Sequence, residues 1–141
     1  EKFHPQYLFL TNARRYLQMS SSLTATENAD IRVAATSNVT RTDGNFPLVL
    51  NYSNLIDETQ EFPDNSMMML IRLLIKAGVK NVALAGFDGY TPDDVNYFDT
   101  NMEYSFIKEK ADSLNESAKQ FFKESDKNIN VSFVTKSHYE E

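Results

Sequence analysis

At 141 residues, with 41% hydrophobic and 24% charged side chains, the chain has the make-up of one soluble domain large enough to bury a core. Its formal charge of −6 gives the long-range field the wrong sign for phosphate polymers or anionic membranes, so neither nucleic acid nor a membrane surface is an expected partner. The lack of cysteine excludes disulfides, thiolate metal sites and a cysteine nucleophile, and no run of about 18 apolar residues is present to span a bilayer.

The chain enters a predicted strand at about residues 7–12 almost at once, without a secretory leader. That start suggests a cytoplasmic piece of a longer protein. Arg14–Met19 begins a short helix, and Ser20–Asp30 reads as a polar loop. Strands follow at about 31–36 and 47–51, separated by Thr40–Asn45. This link is short for a parallel crossover, which usually needs a dozen residues or more. Asp64-Asn65-Ser66 supplies N-cap side chains for a helix running from Met67 to Ala77. That helix is apolar on most of its circumference, with Arg72 and Lys76 forming its polar stripe and Gly78 its C-cap. A strand at 81–86 follows directly. In the helix predicted at about 102–124, Ile107, Ala111, Leu114, Ala118, Phe121 and Phe122 recur every three or four residues. A final strand covers about 129–135. Strands alternating with helices imply an α/β sandwich with a mostly parallel sheet of about five strands.

Each predicted strand ends abruptly in a polar cluster: Thr11-Asn12, Thr36-Ser37-Asn38, Asn51-Tyr52-Ser53-Asn54, Gly86-Phe87-Asp88-Gly89 and Thr135-Lys136-Ser137-His138. In a parallel sheet these clusters share the rim where ligands of open α/β folds bind. Asn12 both donates and accepts, which suits a base or a sugar hydroxyl, and Arg14 and Arg15 suit a phosphate or carboxylate. A strand-end turn with two solvated arginines is the alternative. Asn65 and Ser66 either cap their helix or receive an anion at its N-terminus. Gly86 permits close backbone approach, and Asp88 either orients a sugar hydroxyl or caps a turn. Asp93, Asp94 and Asp99 lack the alternating spacing of a calcium loop and read as a solvated acidic segment. His4 and His138 lie near the chain ends, which gives little support to a catalytic triad or a histidine-based metal site. Met67-Met68-Met69 reads as core packing.

Phe9–Tyr16 (FLTNARRY), Thr36-Ser37-Asn38, Leu50-Asn51-Tyr52-Ser53 and Asn65–Tyr90 together carry a resemblance. They resemble the C-terminal domain that follows an aldolase-like TIM barrel in bacterial proteins related to hydroxymethylglutaryl-CoA lyase and 4-hydroxy-2-oxovalerate aldolase. That domain is in turn similar to the nucleotide-binding fold of sialyltransferases that use CMP-sialic acid and of motility accessory factors. The resemblance implies a Rossmann-like three-layer sandwich over residues 1–141, a single domain whose first strand and phosphate-cradling loop precede Glu1. It also implies a rim for a nucleotide or nucleotide-sugar, formed by Asn12, Arg14, Arg15, Ser37, Asn38, Asn51, Ser53, Asn65, Ser66, Gly86 and Asp88. No cofactor is expected in this fragment. A divalent metal and the aldol chemistry would belong to the attached barrel, whose ligands are not among these residues. Two alternatives stay open: a glycosyltransferase-like unit with Asp88 or His138 as base, and a structural domain that forms homo-oligomers or positions the barrel.

Overall fold

A computed structural model describes residues 4–25, 28–39, 46–93, 96 and 104–140. The chain divides into two compact units, Glu1–Asp57 with Asp64–Leu70, and Glu58–Pro63 with Ile71–Glu141.

In the first unit, β1 (Tyr7–Leu10) leads through α1 (Ala13–Leu23) to β2 (Arg32–Thr36), and β3 (Leu48–Leu50) follows. The strands lie in the order β1-β2-β3, all parallel, with Leu10 opposite Ala35 and Thr36 opposite Leu50. The short link before β3 therefore does carry a parallel connection. Ala34, Ala35 and Thr36 are consecutive and all buried, the signature of a strand covered on both faces. Leu10, Ala35, Val39 and Phe46 form a core that Tyr16, Met19 and Leu23 of α1 pack against. This stripe explains why α1 outruns its predicted end. Ser20-Ser21-Ser22 looks like a loop locally, but the apolar spacing Tyr16–Met19–Leu23 continues across it and tertiary packing holds the turn. A 3-10 turn at Tyr52–Asn54, not expected from the sequence, follows β3.

Helix α2 (Ser66–Lys76) begins in the first unit and ends in the second. Two of its three methionines are core, as expected: Met68 and Met69 have no exposed surface, while Met67 is half-buried. Gly78 ends it with φ +80°. There the Val79 N–H donates to the Leu74 carbonyl and the Gly78 N–H to that of Ile75, both at 3.0 Å, the double bond of a Schellman cap.

In the second unit β4 (Asn81–Leu84) connects through α3 (Phe106–Ser125) to β5 (Asn130–Phe133), parallel and in register from Asn81↔Asn130 to Leu84↔Phe133. The six apolar residues of the predicted stripe are all buried on α3. Residues 102 and 103, assigned to this helix from the sequence, lie outside the described residues. Phe87, Phe122, Phe133 and Tyr139 form an aromatic cluster with ring centroids 5.1–6.4 Å apart. The molecule is thus a mixed α/β protein with parallel strands. Among the described residues they hydrogen-bond as one three-stranded and one two-stranded ladder rather than as a single five-stranded sheet; α1 and α3 each join strands of one ladder, whereas α2 joins β3 to β4 across the two.

Candidate functional site: the polar rim of the three-stranded sheet

The C-terminal ends of β1, β2 and β3 are tied together by the polar residues that follow them. Asn38 donates through Nδ2 to the Thr11 carbonyl at 2.8 Å and accepts at Oδ1 from the buried Thr36 hydroxyl at 2.5 Å, so one side chain spans the ends of β1 and β2. Ser37 does the same toward β3: its N–H donates to the Leu50 carbonyl at 2.8 Å, and its hydroxyl accepts from the Tyr52 N–H at 3.1 Å. The Thr11 hydroxyl shares a 2.5 Å hydrogen bond with that of Ser66, which brings the start of α2 to the same rim. Thr11 and Thr36 were not singled out from the sequence as site residues. Their only local signal was a threonine at the point where each apolar run stops.

Three asparagines of the rim serve as caps. Asn12 Oδ1 accepts from the N–H groups of Arg14 (2.8 Å) and Arg15 (3.4 Å) at the start of α1. Asn65 Oδ1 accepts from those of Met67 (3.1 Å) and Met68 (3.3 Å) at the start of α2. Asn51 Oδ1 accepts from the Ser53 N–H at 3.0 Å. Neither α1 nor α2 carries an acidic residue in its first turn, but Asp64 directly precedes the α2 cap residue Asn65, so it is the α1 N-terminus whose partial positive charge has no neighbouring acid in the sequence. Arg14 and Arg15 add to that charge, the latter donating to Gln18 at 3.1 Å. At the edge of the rim Tyr52 donates to Asp64 at 3.3 Å. Partial burial, then the Asp64 charge, holds the phenol above its ordinary range, so it remains a neutral donor. The rim is a surface of amides and hydroxyls with Arg14, Arg15 and the α1 N-terminus at one side and Asp64 at another, chemistry that suits a polar ligand whose anionic group lies toward α1.

Of the residues named from the sequence, Asn12, Arg14, Arg15, Ser37, Asn38, Asn51, Ser53, Asn65 and Ser66 belong to the first unit, and Gly86 and Asp88 to the second. The second unit has its own polar strand end. Thr135 donates to Asp88 Oδ1 at 2.8 Å and accepts from the Gly86 N–H at 2.9 Å, while the His138 N–H donates to the Asp88 carbonyl at 2.9 Å. Asp88 therefore ties the segment after β4 to that after β5. His138 packs its imidazole on Gly89, where an added Cβ would lie 2.9 Å from Cδ2. Beside it a cleft of about 380 Å³ opens between Tyr90–Pro92 and the Asp112, Asn115, Glu116 and Lys119 side chains of α3. His4 is paired with Asp30 at 2.9 and 3.1 Å, and its hydrogen bond lowers the carboxyl pKa. Asp93 is described and exposed, whereas Asp94 and Asp99 lie outside the described residues. Among the described residues no three His, Asp or Glu side chains gather as metal ligands.

Compared with models of known families, with curated proteins and with solved structures, the chain has no match.

Proposed function

We propose that this chain is a cytoplasmic C-terminal accessory domain of an aldolase-like, lyase-like protein, and that the rim of its parallel strands binds a nucleotide or nucleotide-sugar. The observation that carries this reading is the hydrogen-bonded convergence of three parallel strand ends on the start of α2, next to two helix N-termini without acidic first-turn residues. Phosphate would lie against the α1 N-terminus and Arg14/Arg15, and sugar hydroxyls or the polar edge of the base would meet the Ser37, Asn51, Ser53 and Ser66 side chains. The reading also takes the strands as parts of one Rossmann-like three-layer sandwich with Gly86 and Asp88 on its rim. Any divalent metal and any aldol chemistry stay with the attached barrel.

Thermal shift against CMP-, UDP- and GDP-sugars tests the proposal. The expected result is a specific rise for one nucleotide class that is lost in the Arg14→Ala/Arg15→Ala variant. Turnover of the sugar nucleotide would move the assignment to a glycosyltransferase-like unit using Asp88 or His138. A specific observation favours a second reading, in which the domain is structural: the oxygens of Asn12, Asn51 and Asn65 are already spent on caps. No shift with any of the three classes would favour that role, with homo-oligomerisation or positioning of the barrel as the task.

A further inference from the structure

The outer edge of β5 carries the elements of a peptide-docking groove in the second unit. In the ladder with β4 the Asn130 N–H donates to the Lys80 carbonyl at 2.8 Å and the Val134 N–H to that of Leu84 at 2.7 Å. Backbone groups alternate in direction along a strand, so those of Val131 and Phe133 point away from β4. Among the described residues no strand pairs with that edge. A groove of about 260 Å³ runs beside it, floored by Phe122, Ile129, Val131, Phe133 and Tyr139. Lys119 and Lys123 rim it from α3, four residues apart on one helix face, and Asp126, the C-cap residue of α3, lines it as well. Lys119 also reaches Glu116 at 3.3 Å, an exposed pair that holds it only weakly.

Size and charge narrow the occupant. The groove is smaller than the ~300–1,000 Å³ typical of small-molecule sites and suits one or two inserted side chains. Its open neighbour is a row of backbone donors and acceptors, which an extended chain satisfies by adding a strand. Lys119 and Lys123 outnumber Asp126 along the groove, so its net positive rim favours carboxylates on that chain. We infer that the β5 edge docks an extended segment of a partner protein that inserts an apolar or aromatic side chain between α3 and β5 and carries acidic residues beside it. The inference is independent of the rim ligand.

The test uses fluorescence anisotropy with two labelled peptides, Glu-Val-Phe-Val-Glu-Asp and its counterpart with lysine in place of each acid. The acidic peptide should bind about tenfold more tightly than the basic one, the difference expected from two exposed lysine–carboxylate pairs. Lys119→Glu/Lys123→Glu should reverse the preference. Val131→Pro removes an N–H that faces outward, so it should abolish binding of both peptides while the melting transition stays cooperative. Should that variant fail to fold, Val131→Thr, which keeps the backbone and makes the floor polar, should weaken binding without touching the ladder. Equal binding of the two peptides, or a preference that survives the charge reversal, would overturn the inference. So would a concentration-dependent dimer in sedimentation that Val131→Pro abolishes, since the occupant would then be a second copy of the chain.

Discussion

Gly89 shows how much a single residue can decide. Its φ is +109°, and a Cβ there would lie 2.9 Å from His138 Cδ2 and 3.0 Å from its Cβ. Gly86 has φ +69° but open space around it. Gly89→Ala should therefore cost about 2–3 kcal/mol, combining conformational strain with a clash, and Gly86→Ala about 1–2 kcal/mol from strain alone. Urea unfolding midpoints of the two variants give the comparison; equal losses would mean that His138 simply moves aside. Nearby, Asn115 of α3 holds both backbone groups of Tyr90. Its Oδ1 accepts from the Tyr90 N–H at 2.8 Å, its Nδ2 donates to the Tyr90 carbonyl at 2.8 Å, and the buried Tyr139 hydroxyl donates to the same Oδ1 at 2.9 Å. Burial, and then the charge of Tyr90, keeps the Tyr139 phenol protonated far above the ordinary value near 10. The folded chain thus holds this proton at pH values where the unfolded chain releases it. Stability is undiminished below pH ~10 and falls above it. Wild type should lose stability on passing from pH 9 to 11 more steeply than Tyr139→Phe, measured by denaturant melts at each pH; parallel slopes would contradict the burial argument.

Helices show where local reading succeeds. Cap residues and apolar spacing are written in the sequence because each cap bond closes within five residues. Asn65 was legible as one of three capping candidates, and Gly78 as a C-cap, for that reason. Asn65→Ala should cost about 1 kcal/mol and Asn65→Asp much less, since an aspartate keeps the accepting oxygen at the α2 N-terminus. Thermal melts at neutral pH separate the two; equal losses would show that the side chain serves some other purpose. Local reading failed where a non-local contact outvoted it. The serines of α1 favour a turn, yet Met19 and Leu23 pack on the core of the first unit and keep the helix going. The 3-10 turn after β3 was missed although its Asn51–Ser53 cap is local; the contact beyond local reach is that of Ser37, fifteen residues away, accepting from Tyr52.

At the scale of the whole molecule, the α/β alternation and the parallel strands were legible, whereas the number of strands in each ladder was not. Periodicity reports which face of an element is apolar and says nothing about which edge meets which. If the rim binds a sugar nucleotide, a ligand at 100 times its dissociation constant should stabilise the fold by about 2.7 kcal/mol, and this gain should vanish in Arg14→Ala/Arg15→Ala at the same concentration. An undiminished gain would place the anion away from α1. The formal charge of −6 makes a second forecast at this scale: added salt should not weaken such binding as steeply as it weakens binding to a phosphate polymer, because at most two arginines take part.

Taken alone, the sequence determined the elements: where apolar runs stop, which faces are greasy, and which short polar residues stand ready at strand ends and helix starts. Those properties depend on neighbours a few positions away. Only the tertiary structure decided which of the polar residues are already engaged. Asn38 reaches Thr11 across 27 positions, Ser66 meets Thr11 across 55, and Thr135 meets Gly86 across 49. A short hydroxyl or amide has a reach of a few ångströms, so its partner is chosen by the packing of strands and helices, and no spacing along the chain records that choice.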